Sequence, residues 1–181
     1  MMSDKKKRLK EILLEKAIKF GDFTLASGQK STYYINAKMA TLDSEGLNLT
    51  AEIFLDMIDD TDCDAVGGMT LGADPVIGAM IALGHNRGRR LSGLIIRKET
   101  KDHGTMKLIE GPAVKGMKVV VVEDVSTTGG SASKAIDAIR AAGCQVVKVM
   151  TIVDREQGAR EHFAAMNMPF ESIFSKKDLG L

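Results

Sequence analysis

Apolar positions recur along the chain with two different periods. Leu9, Ile12/Leu13, Ala17 and Phe20 repeat at helical spacing, which predicts a first helix over 3–20, with Gly21 as its stop. Residues 23–25 and 32–36 read as two short strands joined by a turn at Ser27-Gly28-Gln29-Lys30. Helical spacing returns over 44–58. From there strands and helices alternate: strand 64–69, helix 75–83, strand 91–97, strand 119–122, helix 131–142, strand 146–153, helix 157–166 and strand 170–174. Residues 98–110 are polar and show no period, as a flexible loop would. Val119-Val120-Val121-Val122 is β-branched throughout, the mark of a strand buried on both faces. This alternation predicts crossover connections, hence an α/β architecture: a central, mostly parallel five-stranded sheet with helices on both faces. The expected organisation is one domain, 1–181, with a helix-and-hairpin segment over 1–40 and the α/β core over 41–181. Ligands of such sheets bind beyond the carboxyl ends of the strands, so the residues after each strand carry the search for chemistry.

Composition narrows the function. A chain of 181 residues is the size of a single domain, and 44% apolar with 27% charged residues is ordinary for a globular protein. Lys and Arg number 25 against 24 Asp and Glu, a formal charge of +1, which argues against a dedicated nucleic-acid binder. No apolar run approaches the ~20 residues of a membrane span. The basic start, 1–10, is not followed by an apolar segment, so no signal peptide is expected. Cys63 and Cys144 are far apart and belong to no C-x-x-C pair, which fits free thiols in a reducing cytoplasm and gives no zinc site. His85 and His162 pair with no other ligand at metal spacing and are expected at the surface.

The strongest chemical signal is 119–131, V-V-V-V-E-D-V-S-T-T-G-G-S. A buried strand runs into two acids, then hydroxyls, then glycines, and a helix follows. Glycines let successive N–H groups turn toward one point, and the helix N-terminus adds about half a positive charge. Together they form a cradle for a phosphomonoester, without the Gly-Lys-Ser/Thr of a Walker loop. Glu123 and Asp124, just before it, suit the hydroxyls of a ribose that carries the phosphate.

This stretch resembles the phosphoribosyl-diphosphate (PRPP) motif of type I phosphoribosyltransferases. The resemblance implies that Glu123 and Asp124 hold ribose hydroxyls. It implies that Val125, Ser126, Thr127, Thr128, Gly129, Gly130 and Ser131 complete the PRPP-binding turn. Residues 97–104, R-K-E-T-K-D-H-G, are similar to the diphosphate loop of orotate phosphoribosyltransferases. In that family the loop reaches into the neighbouring site of a homodimer. By resemblance, Lys101 and His103 are the catalytic pair, with Arg97 and Lys98 also on the diphosphate. Residues 23–36 are similar to the family's N-terminal hood, with Lys30 on its basic position and Tyr33 and Tyr34 where a flat base stacks. Asp154-Arg155-Glu156-Gln157-Gly158 matches D-R-x-x-G, whose arginine grips the orotate carboxylate. The implied orotate set is Lys30, Thr127 and Arg155. Residues 67–75, G-G-M-T-L-G-A-D-P, are similar to the family's loop after a strand, close to diphosphate.

The chain departs from the enteric form of the family at two places: Ala26 and Gly72 stand where that form has lysines, which shifts the cationic burden to Lys98, Lys101 and His103. The implied fold is that of type I phosphoribosyltransferases. The implied reaction is Mg²⁺-dependent: orotate plus PRPP gives orotidine 5′-monophosphate and diphosphate, a step of UMP biosynthesis. Mg²⁺ is expected to bridge diphosphate and ribose hydroxyls with few or no protein ligands. The implied assembly is a cytoplasmic homodimer with shared active sites, binding neither nucleic acid nor membrane. The alternatives are a non-catalytic PRPP-binding regulator and a phosphoribosyltransferase for another base.

Overall fold

The computed structural model describes residues 2–24, 30–98 and 108–181. Helix α1 (Met2–Ile12) lays Leu9 and Ile12 into the core, and a π-helical turn (Leu13–Ala17) carries the stripe on through Leu13 and Ala17, all of them buried. The helix predicted to reach residue 20 therefore stops short. At Ile18 the backbone turns extended and enters β1 (Ile18–Thr24), where Ile18, Lys19 and Phe20 pair with Ile35, Tyr34 and Tyr33 of β2 (Lys30–Ile35). β-Branched and aromatic cross-strand partners favour this pairing over a fraying last turn of helix. Gly21 is not a helix stop. It lies within β1, where the register shifts between Phe20 and Phe23, a common place for glycine in a strand.

A short helix, α2 (Lys38–Thr41), was not evident from periodicity. It precedes α3 (Ser44–Met57), whose start is capped by Asp43. The Asp43 carboxylate accepts the Gly46 N–H at 3.0 Å and pairs with Lys16 at 2.6 Å, tying α3 to the end of the first helical segment. The core follows as β3 (Ala65–Met69), α4 (Asp74–Asn86), β4 (Ser92–Ile96), β5 (Ile109–Glu110), β6 (Lys118–Ser126), α5 (Gly130–Ala141), β7 (Gln145–Asp154), α6 (Ala159–Ala165) and β8 (Phe170–Ser175), closed by a 3₁₀ turn (Lys177–Leu179). The main sheet has six strands, in the order β5-β4-β3-β6-β7-β8. The five expected strands are parallel, and β5 adds an antiparallel edge to β4. That sixth strand is two residues long, too short to carry a period, and forms because Ile109 and Glu110 meet Ile96 and Ile95. Residues 99–107 of the expected flexible loop lie outside the described residues.

Val119, Val120, Val121 and Val122 are all buried, as their β-branched run predicts. Alternate valines face two separate cores. Val120 and Val122 join α1, α3 and α4, while Val119 and Val121 join Ile136, Ile139 and Phe163 of α5 and α6. The strand order reverses between β3 and β6, and their carboxyl ends open a crevice at this switch point.

Candidate functional site

A cleft of about 450 Å³ sits at that switch point, lined by Lys38, the turn after β3 (Met69 to Ala73), Lys98, Glu123, Asp124 and Ser131. A smaller hollow of about 210 Å³ adjoins it and shares Glu123 and Ser131. Val125, Thr127, Thr128, Gly129 and Gly130 complete its wall.

The hollow follows from the strand–turn–helix of β6 and α5. Gly129 caps α5 with φ 84°, in the left-handed region, and no side chain accepts the first N–H groups of the helix. A Cβ at Gly129 would lie 2.9 Å from the Phe163 ring, so the turn closes only around glycine. The Gly129 carbonyl accepts from both the N–H (2.9 Å) and the hydroxyl (3.0 Å) of Ser133, which also meets His162 Nε2 at 2.7 Å. His162 and His85 are both exposed. This leaves a helix N-terminus aimed at a hollow walled by hydroxyls, the geometry of an anion cradle.

Glu123 and Asp124 lie at the rim. Ser126 donates its hydroxyl to Glu123 Oε2 at 3.0 Å, yet burial dominates and pushes the Glu123 carboxyl up to about 7. Asp124 Oδ1 accepts the Val125 N–H at 2.9 Å, and Oδ2 lies 3.5 Å from Lys38 Nζ. Across the cleft, Thr70 donates to Asp74 Oδ2 at 2.7 Å, and Gly72 packs so close to Asp124 that a Cβ would meet its Oδ1 at 2.6 Å.

Arg155 follows β7. It is 5% exposed, its N–H is bound to the Ser126 carbonyl at 2.9 Å, and its guanidinium lies 4.8 Å over the Tyr33 ring. Its Nε and Nη2 are buried and have no hydrogen-bond partner among the described residues. A buried cation with unpaired donors is costly unless a ligand supplies the acceptor.

The site thus collects Lys98, Glu123, Asp124, Val125 and the residues from Thr127 to Ser131. Ser126 lies beneath them, buried and donating to Glu123, and Arg155 is bound to it through the backbone and stacked on Tyr33. The site does not collect Arg97 and Lys30. Arg97 pairs with Glu110 at 3.1 Å. Lys30 donates to Thr24 at 2.9 Å beside a separate hollow of about 390 Å³ in the hairpin. Lys101 and His103 lie outside the described residues, as does Ala26. Lys38 lines the cleft without having stood out in the sequence. A lone lysine opening a four-residue helix carries no motif, and its only sequence signal is its place just after a strand.

Residues 90–175 match the phosphoribosyl transferase domain family. The chain is 45% identical to orotate phosphoribosyltransferase of Streptomyces avermitilis over 99% of its own length and 100% of the relative's. Its fold is similar to the crystal structure of a phosphoribosyltransferase from Corynebacterium diphtheriae, at TM-score 0.87 and 40% identity, covering 98% of this chain and 99% of that one. It is similar also to orotate phosphoribosyltransferase of Mycobacterium tuberculosis H37Rv in complex with PRPP, at TM-score 0.82 and 37% identity with the same coverage.

Proposed function

The chain belongs to the orotate phosphoribosyltransferase family, and from that premise we propose that it transfers ribose 5-phosphate from PRPP to orotate, releasing diphosphate. The observation that carries the reading is Arg155. Its backbone is bound to Ser126, its guanidinium is buried and partly unpartnered among the described residues, and it suits a base that bears a carboxylate. Uracil and purines have no such group, which favours orotate over another base.

In this reading the α5 N-terminus and the hydroxyls of Thr127, Thr128 and Ser131 hold the 5′-phosphate, and Thr127 stands between phosphate and base. Asp124 and Glu123 accept hydrogen bonds from the ribose hydroxyls. Tyr33 backs Arg155 from the hairpin, so that the 1–40 segment serves as a hood on a single catalytic unit. Lys30 is assigned to the base by resemblance alone. Lys98, Lys101 and His103 act on the diphosphate, and Arg97, paired with Glu110, is assigned there by resemblance alone. Lys101 and His103 would neutralise charge developing on the leaving group, a contribution of roughly 10²–10³ in rate for a well-placed donor.

The donor set suits Mg²⁺. Asp124 and Glu123 offer hard carboxylate oxygens at the rim, the ligand type that Mg²⁺ takes. When bound, Mg²⁺ would supply positive charge to the diphosphate. The shared-site homodimer is supported by exposed apolar residues: Met39, Leu42 and Leu71 are 51%, 73% and 70% exposed. No helix among the described residues is long and apolar enough to cross a membrane, in keeping with a cytoplasmic enzyme.

The test is direct. Purified protein with orotate, PRPP and Mg²⁺ should consume orotate by ultraviolet absorbance, and should fail when PRPP or Mg²⁺ is omitted or when uracil or hypoxanthine replaces orotate. A folded protein that binds PRPP without turnover would point instead to a regulator. Mixing inactive Lys101 and Asp124 variants should restore part of the activity, and no restoration would argue for self-contained sites.

A further inference from the structure

Gly72 supplies no cation to the cleft. Any Cβ there would sit 2.6 Å from Asp124 Oδ1 and 2.9 Å from its Oδ2, so a side chain would have to displace the carboxylate. The turn after β3 is thus confined to backbone contacts at its point of nearest approach to Asp124. Among the described residues that line the cleft, the cations are Lys38 and Lys98. Lys38 comes from the N-terminal segment, at the start of α2. Its base is rigid: Ala37, Ala40 and Thr41 are buried, and the Met39 N–H is bound to the Asn36 carbonyl at 3.0 Å. Its tip is not. The Lys38 side chain is 42% exposed and lies 3.5 Å from Asp124, a distance at which no hydrogen bond is needed to hold it. A long flexible stem on a fixed base lets the ammonium leave Asp124 for a stronger anion in the same cleft.

We propose that Lys38 is a binding residue for the diphosphate group of PRPP. It faces Asp124 in the free site and moves to the diphosphate when substrate binds. The inference rests on the PRPP reading above and adds a residue to it. With substrate present, Asp124 turns to the ribose hydroxyls, and the ammonium it releases meets the anion that enters beside it. A residue that only positions Asp124 would act differently, through the ribose end.

Three probes separate these roles: inorganic diphosphate with Mg²⁺, PRPP with Mg²⁺, and ribose 5-phosphate, each titrated calorimetrically without orotate. Lys38→Ala should weaken diphosphate and PRPP by about ten- to a hundredfold, the weight of a charge-assisted contact, and ribose 5-phosphate by less than about twofold. Lys38→Arg should recover most of the loss, and Lys38→Gln should not. Thermal melting of the free variants should match the parent, since the half-exposed ion pair contributes little to stability. Unchanged diphosphate binding in both Lys38→Ala and Lys38→Gln would overturn the proposal, as would an equal loss of ribose 5-phosphate, which would make Lys38 a positioning residue for Asp124. A parent protein that binds none of the three probes would overturn the PRPP reading as well.

Discussion

The β6–α5 turn and the β1–β2 hairpin both face substrate in the proposed reading, but they are held in opposite ways. β6 is paired on both sides, by β3 and β7, and the turn after it is fixed by Gly129 against Phe163 and by the buried Ser126. Among the described residues the hairpin is a two-stranded sheet paired only with itself. Its inner end is anchored by buried Ile18 and Ile35, while Phe20 and Tyr34 are 73% and 42% exposed. A two-stranded ribbon is marginal alone, so the hairpin takes its order from what lies against it. One region is preorganised by its own chain, the other presents aromatic surface to a flat ligand or a partner. Arg155 joins them, bound through its N–H to Ser126 and stacked over Tyr33.

Replacing that joint tests the comparison most severely. Arg155→Met should weaken orotate by about 2–5 kcal/mol, the cost of truncating one partner of a buried charge pair, with PRPP affinity nearly intact. The free protein should melt at the same temperature or higher, because a buried cation with unpaired nitrogens gives way to an apolar side chain of similar length. Orotate titration and a thermal melt read both effects. Lower stability with unchanged orotate binding would make Arg155 a structural link between the two regions.

The preorganised side can be broken at Gly129. Gly129→Ala must hold a left-handed residue, costing about 1–2 kcal/mol, and must push the Phe163 ring from a 2.9 Å contact. With that overpacking the total should reach about 2–4 kcal/mol in a denaturant titration. Ribose 5-phosphate affinity should fall together with stability, since the cradle and the α6 packing share one backbone.

Glu123 sharpens the same side through pH. Its folded carboxyl is raised from 4.5 to about 7, chiefly by burial, so the native state holds its proton where the unfolded chain has released it. Stability should therefore fall as pH rises from about 4.5 to 7 and level off above, by at most about 3 kcal/mol from this group. Glu123→Gln should flatten that part of the profile in denaturant titrations across the range. A slope that persists in the variant would assign it to other groups.

The same contrast explains what could be read from the sequence. The β6–α5 region was legible because four consecutive valines, two acids and a glycine turn each dictate a local structure, and all agree. The first helix is overextended in the sequence reading because Phe20 keeps helical spacing with Leu13 and Ala17, and only the pairing of Ile18 and Phe20 with Ile35 and Tyr33 decides for a strand. Strand β5 depends entirely on its neighbour β4. Lys38 became visible only once folding brought α2 over Asp124, from 86 residues away in sequence. Arg97 and Lys30 fall on family motifs, yet their side chains meet Glu110 and Thr24. A motif fixes the place in the chain, while the ion pairs available in the free protein fix where the charged end rests.

The smallest effect belongs to the exposed face of the hairpin. Phe20→Ser removes an aromatic ring that the chain itself does not bury, so dilute protein should lose no more than about 0.5 kcal/mol in a denaturant titration. Phe163, fully buried under the α5 turn, provides the contrast: Phe163→Ala should cost about 3–5 kcal/mol. The ratio of the two losses measures how unequally the regions depend on their own chain. Repeating the Phe20→Ser titration at rising protein concentration carries the comparison further. A loss that stays small throughout leaves Phe20 as open surface for a ligand. A loss that grows with concentration would mean that a second copy of the chain buries the ring, and the hairpin would then owe its order to the partner subunit.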